Sequence, residues 1–195
     1  DGKKSLGINE AQSDWHQQGR KHGYKENAKN NENDALYRAV GGEKPTPVPD
    51  APFKKTWHEL VIKRMVREAA EKGYDNLNFP GSPETVAKVE GWANFKKKTV
   101  DGKERYFTGD QDVTPIVDRY LVDFPRFLNK LGKEHGVKVE QHKFNIREKG
   151  AAPSDFSEGI LNNIDIPQSL KDTATQKGFP LFSKGGYMLQ PVDYT

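Results

Sequence analysis

The chain has 195 residues, a charged fraction of 30% and a formal net charge of +3 at neutral pH. Leu, Ile, Val and Phe make up about a fifth of the residues, close to the level at which chains stop folding. The sequence contains no cysteine, which excludes a disulfide scaffold, a thiolate zinc site and a cysteine nucleophile. No apolar run approaches the roughly 18 residues that a membrane-spanning helix needs. The small net charge does not by itself indicate a nucleic-acid-binding protein.

The first residues predict a strand that follows a hairpin turn. Asp1-Gly2 is the strongest two-residue hairpin signal, and residues 3–14 are predicted to form a strand. The period of two in a strand places on one face the side chains of Leu6, Ile8, Glu10 and Gln12. We therefore expect a single α+β domain over residues 1–183 that lacks its N-terminal strand, and a tail over 184–195. The alternative is a tag trimmed at this point.

Two segments precede the best-supported helix. Residues 15–23 predict a short helix that ends at Gly23. Residues 25–50 combine an Asn/Lys/Glu tract with Gly41-Gly42 and three prolines, which predicts a long polar loop. Loops of this length in a compact domain are often functional or mobile.

Residues 56–73 give the clearest helix signal. Thr56 and Glu59 have the spacing of a capping box, and Gly73 supplies the C-terminal stop. The apolar stripe at helical spacing consists of Trp57, Leu60, Val61, Met65, Val66, Ala69 and Ala70.

The remaining chain alternates helix and strand patterns. The predicted elements are a strand at 74–79, a helix at 83–95 capped by Ser82, a hairpin at 96–107 around Asp101-Gly102, a helix at 115–134 that Pro125 kinks or restarts, a strand at 137–146, a loop at 147–163, a strand at 164–166 and a helix at 167–177. This order predicts an α+β fold with a mixed sheet, a main amphipathic helix at about 56–73, additional helices and long polar loops.

Three polar side chains at the end of the first predicted strand suggest chemistry. Glu10, Gln12 and Asp14 share one face of a regular strand, where they can ligate a hard cation or orient a water. The spacing of Glu10 and Gln12 resembles the metal-binding half of PD-(D/E)xK nucleases, with Gln12 in place of the usual Lys. This resemblance implies Glu10 as a Mg²⁺ ligand and Gln12 as the group that orients the attacking water. The shared strand face suggests Asp14 as a second Mg²⁺ ligand. The alternative is a strand end whose polar groups satisfy a buried loop.

His16 completes the predicted catalytic set. It lies beside Trp15 and next to the acidic residues, so a group-transfer enzyme that uses His16 and Asp14 is a further hypothesis. The other histidines are scattered and lack zinc-site spacing.

The cations fall into two sets. The predicted nucleic-acid-binding residues are Lys54, Lys55, Lys63 and Arg64. A second set, near Trp92, Phe95 and Tyr106 in sequence, consists of Lys96, Lys97, Lys98, Lys103 and Arg105. Such lysines usually form a solvated surface or protect a sheet edge, and the alternative is a groove that follows a phosphate backbone.

Two sequence blocks resemble a known family. Residues 10–24 (EAQSDWHQQGRKHGY) and 48–60 (VPDAPFKKTWHEL) are similar to blocks of the polyvalent proteins, which are very large multi-domain proteins of bacteriophages, prophages and mobile elements. Residues 164–166 and 178–182 resemble that family's end. In the family the domain extends upstream through a segment with His, Asn and Arg, and an apolar residue usually stands where this chain has Gly7.

The resemblance implies a biological context. Some polyvalent proteins are packaged in the virion and injected with the DNA. We therefore expect an accessory domain that acts on nucleic acid in the host, in its sharpest form a Mg²⁺-dependent nuclease located in the virion or the host cytoplasm. The alternative is a non-catalytic virion module. Its partners would be the remainder of a longer phage polypeptide or other virion proteins.

Overall fold

A computed structural model describes residues 2–11, 13–24, 48–147, 150, 152 and 156–179. The chain divides into two compact units, a larger one formed by Asp1–Glu10 with His58–Thr195 and a smaller one formed by Ala11–Trp57. The fold is α+β with a mixed sheet, as predicted. In chain order the elements are β1 (Ser5–Gly7), α1 (Asp14–His22), α2 (Trp57–Glu71), β2 (Asn76–Pro80), α3 (Pro83–Glu90), β3 (Phe95–Val100), β4 (Lys103–Thr108), β5 (Gln111–Asp112), α4 (Thr114–Asp118), α5 (Phe124–Gly132), β6 (Glu140–Arg147), β7 (Phe156–Asp165) and α6 (Gln168–Asp172).

A four-stranded sheet in the order β1-β2-β7-β6 is the centre of the larger unit. β1 and β2 are parallel, whereas β7 is antiparallel to both of its neighbours. A second sheet has three antiparallel strands in the order β3-β4-β5. None of the helices in the described ranges is long and apolar enough to cross a membrane.

The main helix is confirmed, and its buried stripe is confirmed in part, because Trp57, Val66 and Ala69 are buried as predicted. α2 ends in a turn in which Tyr74 donates its N–H to the Ala69 carbonyl, and Gly73 takes the positive φ of 70° that this stop requires. Its fully buried side chains are Ile62, Val66 and Ala69, whereas the predicted Leu60, Val61, Met65 and Ala70 are only partly buried. α2 carries apolar side chains on either side of its buried stripe, so the sequence pattern alone does not show which of them face the core. Tertiary packing decides this.

Several further elements match their predicted starts. Ser82 caps α3 by accepting the Thr85 N–H, but α3 ends at Gly91 in the left-handed conformation, before the predicted end at 95. The hairpin of β3 and β4 turns at Asp101-Gly102, and both residues have positive φ. The strand predicted at 137–146 is β6. The helix predicted at 167–177 is α6 with a following π turn that ends at Gly178.

Pro125 reshapes its helix through a π turn, Arg119–Asp123, which joins α4 to α5. The Phe124 N–H donates to the Arg119 carbonyl instead of the Tyr120 carbonyl, and Pro125 has no N–H to replace it. The Tyr120 carbonyl therefore does not receive the N–H that a regular α-helix would give it. The side-chain amide of Asn162 supplies one at 3.4 Å.

The prediction of a loop at 147–163 is wrong, because residues 156–163 belong to β7, an inner strand of the sheet. Local sequence hides this strand, since Gly159 and the pair Asn162-Asn163 break an apolar alternation. The structure explains both features. A Cβ at Gly159 would lie 2.5 Å from the Ile146 side chain, and buried Asn162 bonds to neighbouring carbonyls.

The predicted strand at 3–14 is too long. β1 stops at Gly7, although the Ile8 N–H still donates to the Asn78 carbonyl at 2.7 Å. Ser13 is the N-cap of α1 and Asp14 is its first residue. Ser and Asp are preferred at helix starts, so the chain forms a helix here although the alternating pattern predicts a strand. Asp1, most of the predicted loop at 25–50 and residues 180–195 lie outside the described residues.

The smaller unit contains the predicted short helix, α1, which ends at Gly23 with a φ of 83°. Tyr24 forms a single parallel bridge with Val48, and the Val48 N–H donates to the Gly23 carbonyl at 3.2 Å. The Tyr24 ring lies so close to Gly19 that no Cβ fits there.

Candidate functional site

The predicted acidic face does not exist as a strand face. Glu10 is an exposed residue after β1 in the larger unit, whereas Asp14 is an exposed residue in the first turn of α1 in the smaller unit. Gln12 lies outside the described residues. Among the residues that the structure describes, no group of three or more His, Asp or Glu side chains is placed to hold a metal ion. Metal binding by Glu10 and Asp14 stays a prediction.

Glu10 lies beyond the carboxyl end of β1, the edge strand of the four-stranded sheet. β1 and β2 are parallel neighbours, so the residues that follow them leave the sheet at the same edge. At this edge the buried Tyr120 hydroxyl lies 3.4 Å from the Asn9 carbonyl oxygen and 3.3 Å from Glu90 Oε1. The helix start after β2 is a plain cap, because Ser82 Oγ is taken up by the Thr85 N–H.

His16 is buried in a structural network of the smaller unit. Its Nε2 lies 3.0 Å from the Pro52 carbonyl oxygen, which only accepts, so Nε2 carries a proton. Its Nδ1 lies 2.6 Å from Ser13 Oγ, and its ring stacks on Trp57 at 5.6 Å between centroids. Both ring nitrogens are thus engaged within the fold. A structural role accounts for His16 without catalysis.

The two blocks that carry the family resemblance meet in the smaller unit. Trp15 Nε1 donates to the Pro49 carbonyl at 2.8 Å, alongside the bond from His16 to Pro52. The Lys54 ammonium lies over the Tyr24 ring at 4.5 Å from its centroid. Ring N–H groups and proline carbonyls therefore join the segment at 13–24 to that at 48–57. These contacts give a structural role to Trp15, His16, Pro49 and Pro52, which belong to the two blocks.

The four predicted nucleic-acid-binding cations divide between the two units. Lys54 and Lys55 belong to the smaller unit, where Lys54 pairs with Asp50 and Lys55 is exposed. Lys63 and Arg64 belong to α2 in the larger unit.

The two cations on α2 are both engaged with neighbours. Arg64 pairs with Glu68 at 2.8 Å. Burial lowers the pKa of Lys63, with Glu59 opposing and Lys130 reinforcing the shift, and the Lys63 ammonium lies 5.6 Å from the centre of the Phe127 ring.

The second basic set is sorted by strand register onto opposite faces of the hairpin. Lys96 pairs with Phe107, Lys98 with Arg105, and Val100 with Lys103, so these six side chains share one face. We call this surface the basic face and define it by Lys96, Lys98, Lys103, Arg105 and Phe107. Lys97 lies on the opposite face and is bonded to Glu104 at 2.8 Å.

The opposite face of the same hairpin is aromatic. Phe95 stacks on Tyr106 with centroids 5.9 Å apart and rings 5° from parallel, and Trp92 stacks on Phe95 at 5.9 Å. Burial, followed by the nearby Glu104 carboxylate, raises the pKa of the Tyr106 hydroxyl. This face therefore has its own small apolar cluster, and the cations of the basic face point away from it.

The basic face carries excess positive charge. Arg105 pairs with Asp112 at 3.1 Å, and hydrogen bonds from Thr114 together with Arg105 hold the pKa of Asp112 below its ordinary value. Within the described ranges no carboxylate forms an ion pair with Lys96, Lys98 or Lys103. Three exposed ammonium groups thus share one side of a small sheet.

Sequence reasoning found the four cations of the basic face, together with Lys97 and without Phe107. It preferred the other set of cations as the nucleic-acid-binding residues. The register that separates Lys97 from its neighbours was visible once Asp101-Gly102 fixed the turn. No protein-family model, curated protein or solved structure matches the chain.

Proposed function

We propose that the chain is a nucleic-acid-binding accessory domain of a phage polyvalent protein, present in the virion or in the host cytoplasm. The basic face is the observation that carries this proposal. Lys96 and Lys98 are two residues apart on one strand, which separates them by about 6.6 Å along it. Lys103 and Arg105 follow the adjacent strand in register. Such a row offers repeated contacts to a phosphate backbone.

The physical driving force is counterion release. Three or four neutralised phosphates on a single strand give a slope of log K against log salt of about −2 to −3. The carboxylate of Asp112 reduces the effective charge of Arg105, so the three lysines supply most of the contacts. We expect weak, strongly salt-dependent binding to DNA or RNA.

The test compares lysines on opposite faces of one strand. The double variant Lys96→Ala/Lys98→Ala should weaken oligonucleotide binding about tenfold at low salt and reduce the salt slope by about 1.4. Lys97→Ala is the control, because it removes one such charge from the same strand on the other face. Fluorescence anisotropy with labelled oligonucleotides measures both. A control that shows half of the double variant's effect or more would contradict a role for the basic face, since net charge alone would then account for the loss.

Mg²⁺-dependent nuclease activity is the narrower form of this proposal. It is supported by the position of Glu10 after the carboxyl end of β1, beside β2. Glu10 and Asp14 would ligate Mg²⁺, Gln12 would orient the water, and Lys63 and Arg64 would contact phosphate. A Glu10→Ala protein that keeps wild-type metal affinity and cleavage rejects this form, with Glu134→Ala as an exposed-acid control.

A second candidate function is a non-catalytic interaction module of the virion. Phe156 is 61% exposed at the start of β7, and Phe144 on the neighbouring β6 is 38% exposed. Strand register places the two rings on opposite faces of the sheet, so each would make a separate apolar contact with a partner. An isolated chain that is monomeric and cooperatively folded, and that is absent from purified virions, would contradict this candidate.

A further inference from the structure

Phe107 is an unusual residue for its place in the three-stranded sheet. The stacked rings of Trp92, Phe95 and Tyr106 already form an apolar cluster on one face of the sheet, so the face that carries the lysines should be polar. Phe107 lies on that other face, in the central strand β4, and remains partly exposed. Packing within the aromatic cluster on the opposite face therefore does not explain why a phenyl ring occupies position 107.

Positive charge surrounds this ring. Lys96 is directly opposite Phe107 on β3, and Asp112 is directly opposite on β5. Arg105 lies two residues before Phe107 on the same strand and face. The Lys98 ammonium lies 4.8 Å from the ring centroid, so the face of the ring is turned toward an exposed cation.

We propose that Phe107 is a stacking platform for a nucleobase, and that single-stranded nucleic acid is the substrate class of the basic face. This inference rests on the proposed function. An aromatic ring flanked by lysines matches the two needs of single-strand binding, which are a surface for a base and cations for its phosphates. In the complex the Lys98 ammonium leaves the ring for a phosphate, and a base takes its place.

Duplex nucleic acid cannot use this platform in the same way. Its bases are already stacked on one another, and only their edges face the grooves. A duplex therefore gains the phosphate contacts of Lys96, Lys98 and Lys103 but not the contact with Phe107. Since every base has a π face, the single-strand preference should be tolerant of sequence.

The experiment separates stacking from charge. Anisotropy titrations would use a labelled oligothymidylate of about 12 nucleotides and a duplex of equal length. Phe107→Leu keeps apolar bulk and removes the ring, whereas Phe107→Tyr keeps the ring. Phe144→Leu is the matched control, because it removes a partly exposed phenyl ring from β6 in the other sheet. Circular dichroism checks that each variant is folded.

We expect Phe107→Leu to bind the single strand about tenfold more weakly and the duplex as the wild type does. Phe107→Tyr and Phe144→Leu should bind both ligands normally. The inference is overturned if Phe107→Leu binds oligothymidylate like the wild type, or if it loses single strand and duplex equally. The proposed function fails separately, when neither ligand binds or when Lys96→Ala/Lys98→Ala changes nothing.

Discussion

The two sheets of the larger unit place polar side chains in opposite ways. In the four-stranded sheet Asn76, Asn78 and Asn162 are at most 7% exposed, and within the described part of the chain no buried side-chain nitrogen or oxygen lacks a hydrogen-bond partner. In the three-stranded sheet the lysines of the basic face are exposed. The four-stranded sheet buries polar side chains and satisfies them with hydrogen bonds, whereas the three-stranded sheet exposes its lysines to solvent.

This difference separates stability from binding. A buried amide must find partners, because an unsatisfied buried group costs about 1–3 kcal/mol. Exposed lysines contribute little to stability, since water screens them. They remain available to an external polyanion instead. Substitutions of buried residues in the four-stranded sheet should therefore lower the free energy of unfolding. Substitutions on the basic face should change the affinity for nucleic acid.

The largest expected effect is a decrease in the free energy of unfolding, with the affinity of the folded protein for nucleic acid unchanged. Phe124 is fully buried and packs edge-on against Tyr120 and Phe79, with centroids 5.4 and 5.8 Å apart. Phe124→Ala should lower the free energy of unfolding by about 3–5 kcal/mol in a urea titration. The exposed control Phe144→Ala should cost less than about 1 kcal/mol. Comparable losses in the two variants would show that this aromatic cluster is not the core.

The next effect tests the amide that links the sheet to the π turn. Asn162 Nδ2 donates to the Pro80 carbonyl at 3.1 Å and to the Tyr120 carbonyl at 3.4 Å. Asn162→Ala leaves both carbonyls without this donor and should cost about 1–3 kcal/mol of unfolding free energy. Asn145→Ala, at an exposed position on β6, is the control. An Asn162→Ala protein as stable as that control would contradict the proposed role of the amide.

A smaller effect, an increase in affinity for nucleic acid, is expected when Asp112 loses its charge. Asp112→Asn keeps the acceptor for the Thr114 N–H and removes the charge that pairs with Arg105. Affinity for oligothymidylate should rise a few-fold at low salt, and the salt slope should steepen by about 0.7 as Arg105 gains a phosphate. Asp165→Asn makes the same charge change in the other sheet. If both variants gained equally, net charge and not the basic face would be responsible.

The smallest effect concerns pH and a partly buried histidine of α2, His58. Burial lowers the pKa of His58, which stacks on Phe124 at 6.5 Å. Nearby carboxylates oppose this shift and guanidiniums reinforce it, namely Asp123 and Glu59 against Arg119 and Arg126. Below pH 6.5 the unfolded chain binds the proton more readily than the folded protein. Stability should therefore fall as pH drops from 6.5 to the folded pKa and then level off.

Urea midpoints measured across this pH range test the assignment to His58. His58→Gln should flatten the pH dependence, because the variant side chain does not titrate. His142→Gln on exposed β6 is the control and should leave the curve as in the wild type. An unchanged slope in His58→Gln would show that another group is responsible.

Local signals predicted those parts of the fold that are locally determined. Ser82-Pro83, Gly73 and Asp101-Gly102 act within a few residues, through a cap, a left-handed stop and a hairpin turn. Their elements were confirmed for that reason. The confirmed α+β class follows from the order of these elements.

Predictions that required distant partners were wrong or incomplete. The strand character of β7 depends on Gly159 meeting Ile146 and on Asn162 meeting carbonyls of β2 and the π turn. Neither contact leaves a periodic pattern in the sequence. The predicted acidic face failed likewise, because the cap at Ser13 ended the alternation on which it relied.

The sequence by itself determined where most helices begin, where α2 stops, where the hairpin turns, and which residues are charged. The tertiary structure decided which of those charges share a surface. Lys97 and Lys98 are neighbours in the chain, yet strand register places one on the aromatic face, where it forms an ion pair with Glu104, and the other on the basic face, where it lies over Phe107. Capping and turn formation are interactions of a few residues, whereas a binding surface is defined by side chains that only strand pairing brings together.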